Sequence, residues 1–148
     1  MKIKLEISDE NYAFVAKMLL EKGIELSDEA DFILTEKDRY SSYISCRDED
    51  MPCHIPTVKV LYIESMGHDI TVHTEDGNYK CGDTLAQMEK FLNPNEFLRI
   101  SKSVIIARKS VVGIRAALSQ KFTLTISNGD KVDVTRSYYY IFKNYFGI

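Results

Sequence analysis

The sequence predicts a mainly β fold, α+β overall, in which β-hairpins with few helices follow a small β-α-β unit. Short apolar segments of strand length recur from Val58 onward. The dipeptides Asp76-Gly77 and Asn128-Gly129 are typical of tight hairpin turns between such strands. Helical periodicity is confined to three short stretches. Together these observations favour sheets as the main architecture.

The first 50 residues predict a small, acidic β-α-β unit. Residues 2 to 7 alternate polar and apolar side chains, as a strand with one wet face does. Ser8 suits the N-cap of a following helix, and Gly23 suits its end. A second strand is expected near residues 31 to 36. The predicted buried stripe of the helix is Tyr12, Val15, Ala16 and Leu19.

The domain division follows from a change in composition. Three acidic residues, Pro52 and Pro56 fall between residues 48 and 57, which is typical of a connecting segment. The sequence therefore predicts an N-terminal unit at residues 1–50, a linker at 51–57 and a main domain at 58–148.

The main domain is predicted to begin with a strand at 58–63 that is covered on both faces, because nearly every residue is apolar. A two-residue loop at Asp76-Gly77 pairs Thr74 with Tyr79 and Val72 with Cys81. Residues 83 to 92 then predict a helix, because Thr84 and Gln87 have the spacing of a capping box. Its buried residues are expected to be Leu85, Met88 and Leu92.

After strands at 97–100, 104–107 and 111–115, the last hairpin requires a three-residue loop. A two-residue loop at Asn128-Gly129 would place Leu124 opposite Asp133, whereas a loop of residues 127 to 129 pairs Leu124 with Val132. Gly129 would then be left-handed. The chain ends in a predicted helix from 136 to 146, capped by Thr135, with Tyr138, Ile141, Phe142 and Tyr145 as its buried stripe.

The charge is divided unequally along the chain. The net charge is −3, but residues 1–98 carry 10 Lys and Arg against 20 Asp and Glu, whereas residues 99–148 carry 9 against 2. Such asymmetry fits a basic surface that meets a polyanion, or basic residues that merely solubilise strands. The charged N-terminus, the short apolar runs and three cysteines without a C-x-x-C pair predict a cytoplasmic protein.

The sequence offers little support for an enzyme or a cofactor. Cys53-His54 could form a nucleophile and base, but no orienting carboxylate has a fixed spacing to them. His54, His68, His73 and Cys81 lack metal-ligand spacing. The seven glycines do not form a phosphate-binding loop. We therefore expect no catalysis, no metal and no cofactor.

Three polar sets interrupt or follow the predicted strands of the basic half. Ser101-Lys102-Ser103 separates two apolar strands, and Met66-Gly67-His68-Asp69 connects two others. Arg136 opens the final helix, where a helix N-terminus could add to its guanidinium. Each set suits phosphate contact, although each alone is more typical of a solvated turn or a capping residue.

From Ile55 to Phe146 the order and spacing of the segments resemble the LytTR DNA-binding domain of bacterial transcription regulators. The resemblance rests on VLYIES, VHTEDGNY, TLAQMEKFL, FLRISKSVIIARKSVVGI, the Asn-Gly hairpin and VDVTRSYYYIFK. It implies an elongated, mostly antiparallel β fold whose loops enter the major groove. The implied DNA contacts fall on His68, Lys102 and Arg136. Ala107 and Asp69 depart from residues common in the family.

The resemblance also implies a stand-alone regulator without a receiver domain, often controlled by a membrane protein partner. We expect sequence-specific binding to a promoter with paired half-sites, by a homodimer at least on DNA. The alternative is a protein-interaction module that docks a partner through the acidic N-terminal unit. The predicted DNA-binding residues are His68, Arg99, Ser101, Lys102, Ser103, Arg108, Lys109, Arg136, Ser137 and Lys143.

Overall fold

A computed structural model describes residues 1–37 and 40–148. The chain forms two compact units, Met1–Tyr40 and Ser41–Ile148. None of the helices in the described ranges is long and apolar enough to cross a bilayer.

The first unit is a three-stranded parallel sheet with one helix. Its elements are β1 (Lys2–Glu6), α1 (Asp9–Glu21), β2 (Glu25–Leu26) and β3 (Phe32–Thr35). The strand order is β2-β1-β3. The predicted strand, helix and strand are therefore present. The additional strand β2 was not predicted, because two residues are too few to show an alternating pattern.

The helix of this unit differs from the prediction at its start and on its buried face. Ser8 does not cap α1 through its side chain; its hydroxyl and amide both donate to Glu36 Oε1, at 2.7 and 2.9 Å. Leu19 is buried, but Tyr12 is 43% exposed. The predicted buried stripe is thus narrower than expected, because a sheet of this size covers little of the helix.

The predicted linker at 51–57 is wrong. Residues Met51–Pro56 form β5, which pairs antiparallel with β4 (Tyr43–Asp48). Glu49 and Asp50 make the turn with positive φ angles of 47° and 70°. Pro52 and Pro56 fit because β5 stands at one end of the sheet, where a missing N–H costs no ladder bond. The boundary between the units consequently falls after Tyr40, not after residue 50.

The second unit is built around a seven-stranded sheet ordered β5-β4-β8-β7-β6-β10-β9. All of its pairs are antiparallel. The remaining strands are β6 (Val60–Met66), β7 (Asp69–Thr74), β8 (Gly77–Cys81), β9 (Phe97–Arg99) and β10 (Val104–Ala107). Residues 57–59 form a 3-10 turn before β6, so Val58 lies outside the strand and is exposed.

The predicted register of the β7–β8 hairpin is wrong by two residues. Thr74 pairs with Gly77 and Val72 with Tyr79, so the turn is Glu75-Asp76. The Thr74 hydroxyl decides this, because it accepts from the amides of Asp76 and Gly77 and donates to the Gly77 carbonyl at 2.8 Å. A two-residue shift preserves the faces, so Val72 still points to the core.

Helix α2 (Leu85–Phe91) covers one face of this sheet. The predicted capping box is confirmed, because Gln87 N donates to Thr84 Oγ1 and Thr84 N donates to the Gln87 side chain. Leu85, Met88 and Leu92 are buried as predicted. They pack with the sheet residues Ile44, Val60, Ile63, Val72 and Ile105.

A three-stranded antiparallel sheet and the last helix cover the other face. The strands are β11 (Val111–Ala117), β12 (Lys121–Ile126) and β13 (Lys131–Val134), with β12 in the middle. The predicted three-residue loop is confirmed: Leu124 pairs with Val132, and Gly129 has a φ of 93°. The β11–β12 ladder contains an irregularity between Val111 and Gly113.

The final helix is shorter than predicted. Residues Arg136–Tyr138 form a 3-10 turn, and α3 spans Tyr139–Phe146. Thr135 makes no side-chain capping bond. Phe142 is fully buried against Phe122, whereas Ile141 is 53% exposed, which corrects its place in the predicted stripe. The 3-10 start rotates the register of the following helix, so Ile141 leaves the core side.

The β6 and β10 strands lie between the two hydrophobic clusters. Ile63 and Ile105 belong to the α2 side, while Leu61, Tyr62 and Ile106 belong to the side of the second sheet. The prediction of a strand covered on both faces is therefore confirmed for residues 60 to 63, where the predicted strand overlaps β6. The fold as a whole is mainly β with few helices, as predicted.

The Thr74 hydroxyl provides a stability test. We expect Thr74→Val, which keeps the shape and removes the hydroxyl, to lower the free energy of unfolding by about 1–2 kcal/mol, because two turn amides lose their acceptor. Urea unfolding would measure the difference. Thr71→Val is the control, since that hydroxyl accepts only an exposed lysine bond. Equal midpoints for the two variants would contradict the assigned role of Thr74.

Candidate nucleic-acid interface

A tight loop of residues 100–103 joins β9 to β10 at one end of the seven-stranded sheet. The Ile100 amide donates to the Val104 carbonyl at 3.0 Å and closes the turn. Inside it, the buried Ser101 hydroxyl accepts from the Ser103 amide at 3.1 Å. Lys102 is exposed at the tip. The predicted projection of Lys102 from a tight connection is therefore present, but Ser101 faces inward.

Arg99 stabilises this loop through hydrogen bonds to the loop backbone. Its guanidinium donates to the carbonyls of Ser101 and Lys102, at 3.0 and 2.5 Å. It also forms an ion pair with Glu89 at 2.6 Å. The Arg99 side chain is only 22% exposed. Arg99 is one of the predicted DNA-binding residues, but its donors are directed at carbonyls of the loop and at Glu89.

The turn that carries His68 lies beside the 100–103 loop. The Ser65 amide donates to the Ser103 carbonyl at 2.7 Å, which ties the end of β6 to the loop. Met66 pairs with Asp69, so Gly67-His68 is the two-residue turn between β6 and β7. Gly67 has a φ of 63°, a conformation that suits glycine. His68 is exposed.

Arg136 approaches the same loop from its other side. The Thr135 amide donates to the Ile100 carbonyl at 3.0 Å, and Arg136 follows as an exposed residue. Two backbone hydrogen bonds therefore bring the His68 turn, the 100–103 loop and the Arg136 turn to one end of the unit. The predicted use of an α-helix N-terminus does not hold, because a 3-10 turn starts at Arg136.

A polar cleft of about 580 Å³ opens at this end. Lys131 lines it and was missed by the sequence analysis, although its outward position on β13 followed from the predicted hairpin register. Glu64 and Asp133 add negative charge to the rim. The predicted residues that line the cleft are Ser101, Lys102, Ser103 and Ser137.

Arg108 and Lys109 are not part of this surface. They follow β10, whereas the 100–103 loop precedes it, and four residues of strand span about 13 Å. The Arg108 guanidinium lies 5.1 Å from the ring centroid of Tyr145, and the Lys109 ammonium donates to the Val58 carbonyl. The single basic surface expected from the sequence is thus divided between opposite ends of β10.

Lys143 lies on α3. Its ammonium is 5.5 Å from the ring centroid of Tyr139, one turn earlier in the helix. A lysine over an aromatic ring at this spacing stabilises the helix. Lys143 therefore belongs to neither end of β10 by its contacts.

A partly buried hydrogen bond joins the second sheet to the first. The Tyr62 hydroxyl donates to Asp130 Oδ2 at 2.8 Å, which joins β6 to the residue before β13. Burial and the Asp130 bond raise the pKa of Tyr62. The same bond, helped by Asn128, lowers the pKa of Asp130. Tyr62 also stacks on His73, with 4.0 Å between ring centroids. The two sheets are therefore joined beside Lys131, which lines the cleft.

Comparison with known protein families decides the identity of the second unit. The model of the LytTr DNA-binding domain matches residues 52–147 of this chain. The chain belongs to the LytTR DNA-binding domain family. This confirms the resemblance seen in the sequence, and it makes the second unit the LytTR domain.

Curated relatives of the LytTR domain are transcription regulators. The chain is 34% identical over 84 residues to the CO-responsive transcriptional regulator RcoM of Rhodospirillum rubrum. The matched segment covers 56% of this chain and 36% of that protein. It is 33% identical over 78 residues to the transcriptional regulatory protein LytR of Staphylococcus aureus. That match covers 53% of this chain and 32% of the relative. The similarity thus covers about a third of the length of each relative.

The fold also matches a solved structure. It is the LytTr DNA-binding domain of a protein described as a methyl-accepting/DNA response regulator from Bacillus cereus. The two superpose with a TM-score of 0.70 and 25% sequence identity, over 73% of this chain and 99% of the other. Family and fold are those of DNA-binding transcription regulators, not of enzymes.

The contacts of Arg99 lead to a test of loop anchoring. We expect Arg99→Ala to lower the free energy of unfolding by about 1–2 kcal/mol, because two carbonyls of the loop lose a charged donor. Amide exchange at Lys102 and Ser103 should accelerate in hydrogen-exchange measurements. Glu89→Gln removes only the ion pair and should cost less than about 1 kcal/mol. Equal effects of both variants would place the stabilisation in the ion pair instead.

Proposed function

We propose that this chain is a sequence-specific double-stranded DNA-binding transcription regulator that reads the major groove with the loops at the cleft end of its LytTR domain. The observation that carries the proposal is the pair of backbone bonds, Ser65 N to Ser103 O and Thr135 N to Ile100 O, that gather three exposed loops. Family membership supplies the DNA-binding class.

The three exposed side chains at this end have complementary chemistry for base edges. Arg136 offers a planar fork that suits the O6 and N7 acceptors of guanine. Lys102 offers a compact ammonium on a flexible stem for the same acceptors or for phosphate. His68 can donate and accept at once when neutral. We assign these three residues to base readout or to bracing at the groove.

Phosphate contacts fall to polar residues around the cleft. Ser103 and Ser137 are exposed there, and Lys131 adds a cation. Ser101 is better placed to shape the loop, since its side chain is buried and hydrogen-bonded within the loop. Glu64 and Asp133 would repel phosphate, so they favour an approach in which the backbone passes on the Lys102 side.

The partners expected from the sequence belong to this proposal. One module of this size buries about 600–1,000 Å² on DNA, which is small for high specificity. Two copies on paired half-sites would gain affinity through effective concentration. We therefore propose a promoter with paired half-sites and a homodimer formed at least on DNA. Cytoplasmic location and control by a membrane protein complete the proposal.

Substitutions at the cleft end test the proposal. We expect Lys102→Ala and Arg136→Ala to weaken binding to a selected duplex by about 1–3 kcal/mol each and to relax preference at one base position. The duplex would come from selection out of a random pool, and affinity would be measured by fluorescence anisotropy over a range of salt. A base contact predicts a loss for the selected sequence that exceeds the loss for random DNA.

Lys109→Ala is the matched control, because Lys109 carries the same charge at the opposite end of β10. We expect it to leave sequence preference unchanged and to alter the salt slope less than Lys102→Ala does. If Lys109→Ala weakens binding as much as the two cleft variants, the binding surface lies elsewhere. If none of the three changes binding, His68, Lys102 and Arg136 are not the readers.

A second candidate function has its own observation. In the first unit, Phe32 and Ile33 on β3 are 62% and 52% exposed, although both are large and apolar. Such exposure suits a protein-interaction module that docks a partner through the N-terminal unit. Phe32→Ser should then abolish partner capture without altering DNA affinity. A chain that binds no duplex at low salt would favour this function over DNA recognition.

A further inference from the structure

Three cysteines form a row across three neighbouring strands of the seven-stranded sheet. Cys46 on β4 is directly opposite Cys53 on β5. On its other side, Arg47 pairs with Lys80, and the antiparallel register places Cys46 opposite Cys81 on β8. All three are free thiols. Cys46 is buried, whereas Cys53 and Cys81 are partly exposed. None of the three cysteines is among the proposed DNA contacts.

We propose that Cys81 and Cys46 form a modification site in which a hydroperoxide oxidises Cys81 and Cys46 resolves the product as a cross-strand disulfide. Directly opposed residues in an antiparallel pair have Cα atoms about 4.5–5.5 Å apart, within the usual range for a disulfide. The site does not depend on DNA recognition, because none of the proposed DNA contacts takes part in the reaction.

The surroundings of Cys81 favour it as the thiol that reacts first. A hydrogen bond from the Cys46 thiol lowers the pKa of Cys81 to about 7, and the Gly82 and Asp83 amides act in the same direction. Burial and the charge of Asp83 oppose them. The thiolate is the nucleophile towards peroxide, and a partly exposed thiolate is reactive. Cys81 combines both properties.

Cys46 has the properties of a resolving thiol. Its hydrogen bond with Cys81, together with burial, raises its pKa, so it stays protonated. A buried thiol meets little peroxide from solvent, but it is in contact with the oxidised neighbour. The Ser45 carbonyl, 3.3 Å from the Cys81 sulfur, holds the reduced Cys81 thiol in place beside it.

The chemistry balances in two steps. The Cys81 thiolate attacks one peroxide oxygen, the S–O bond forms, the O–O bond breaks and hydroxide leaves; sulfur loses two electrons and peroxide gains them. The Cys46 sulfur then attacks Cys81 sulfenic acid, the S–S bond forms and the S–O bond breaks. The departing oxygen takes the Cys46 proton and leaves as water. Two thiols and one hydrogen peroxide give one disulfide and two waters.

The disulfide would form close to the end of the sheet that carries His68. Cys81 pairs with Ile70, and His68 lies two residues before Ile70 in the chain. The linkage would also join β8 covalently to β4, the strand that it pairs with at Arg47 and Lys80. Oxidation would therefore act on the strands that support the cleft end.

Peptide mapping tests the site directly. Trypsin separates the three cysteines, since residues 40–47 hold Cys46, residues 48–59 hold Cys53 and residues 81–90 hold Cys81. The reduced full chain is treated with one equivalent of hydrogen peroxide, blocked with N-ethylmaleimide, digested and analysed by mass spectrometry. We expect peptide 40–47 linked to peptide 81–90, with the loss of two hydrogens. A link between 40–47 and 48–59, or no link, would overturn the proposal.

Matched variants separate the roles of the three thiols. We expect Cys81→Ser to slow peroxide consumption about tenfold or more, because the reactive thiolate is gone, and Cys53→Ser to leave the rate and the link within about twofold of the wild type. In Cys46→Ser the sulfenic acid on Cys81 should persist and be trapped by dimedone on peptide 81–90. Rapid oxidation of Cys81→Ser, or trapping on peptide 48–59, would refute the assignment.

Wild-type alkylation gives a readout that does not require any variant to fold. The rate at which iodoacetamide modifies Cys81 should rise with pH through an inflection near 7, because the thiolate is the species that reacts. Quantifying peptide 81–90 at each pH follows this residue alone. A rate that still shows no inflection below pH 9 would contradict the proposed reactivity of Cys81.

Discussion

The cleft end of the LytTR domain depends on the anchoring of the 100–103 loop. Ser103 O accepts from β6, and Ile100 O accepts from the chain after β13, so one loop joins the two sheets. Arg99 supports the same loop through two carbonyls. Because backbone groups make these bonds, the loop keeps its position whatever side chain stands at residue 102. Its exposed tip can therefore change without disturbing the loop.

This anchoring works because β6 and β10 are held from both faces. Cores on either side of these strands meet at Ile63, Ile105 and Ile106, all of which are buried. The Tyr62–Asp130 bond adds a polar tie between the sheets in the same region. Rigid strands end directly in the His68 turn and start directly after residue 103. Loops on such a support hold exposed side chains in fixed relation to one another.

The sequence predicted those features that only one pairing or face could satisfy. The 127–129 loop was predictable because the shorter loop would have buried Asp133 opposite Leu124. The register at Thr74 could not be predicted, because a shift of two residues leaves every side chain on the same face of the sheet. The hydrogen bonds of the Thr74 side chain select the observed register. The β4–β5 hairpin escaped detection because Glu49-Asp50 is an unusual pair for two positive φ angles.

The same limit applies to the candidate site. Exposure of His68 and Lys102 followed from their places between strands, and exposure of Arg136 followed from its place at the start of the final helical segment. The hydrogen bonds of Arg99 and Lys109 to backbone carbonyls could not be predicted. Their acceptors, Lys102 O and Val58 O, come close to these side chains only in the folded chain. Charge counts along the sequence could not show that β10 separates two basic groups. A one-dimensional pattern reports the sign of a surface, but not which cations already have partners.

The irregular start of β11 has a consequence for the behaviour of the protein in a crowded cell. This seven-residue strand is an edge strand of its sheet, and its side chains Val112 and Ile114 are exposed. The outer backbone groups of an edge strand can pair with a strand of another chain. The irregularity between Val111 and Gly113 interrupts the ladder, and exposed Arg115 places a charge along the strand. Both features discourage the addition of a strand from another chain, which helps the protein to remain dispersed.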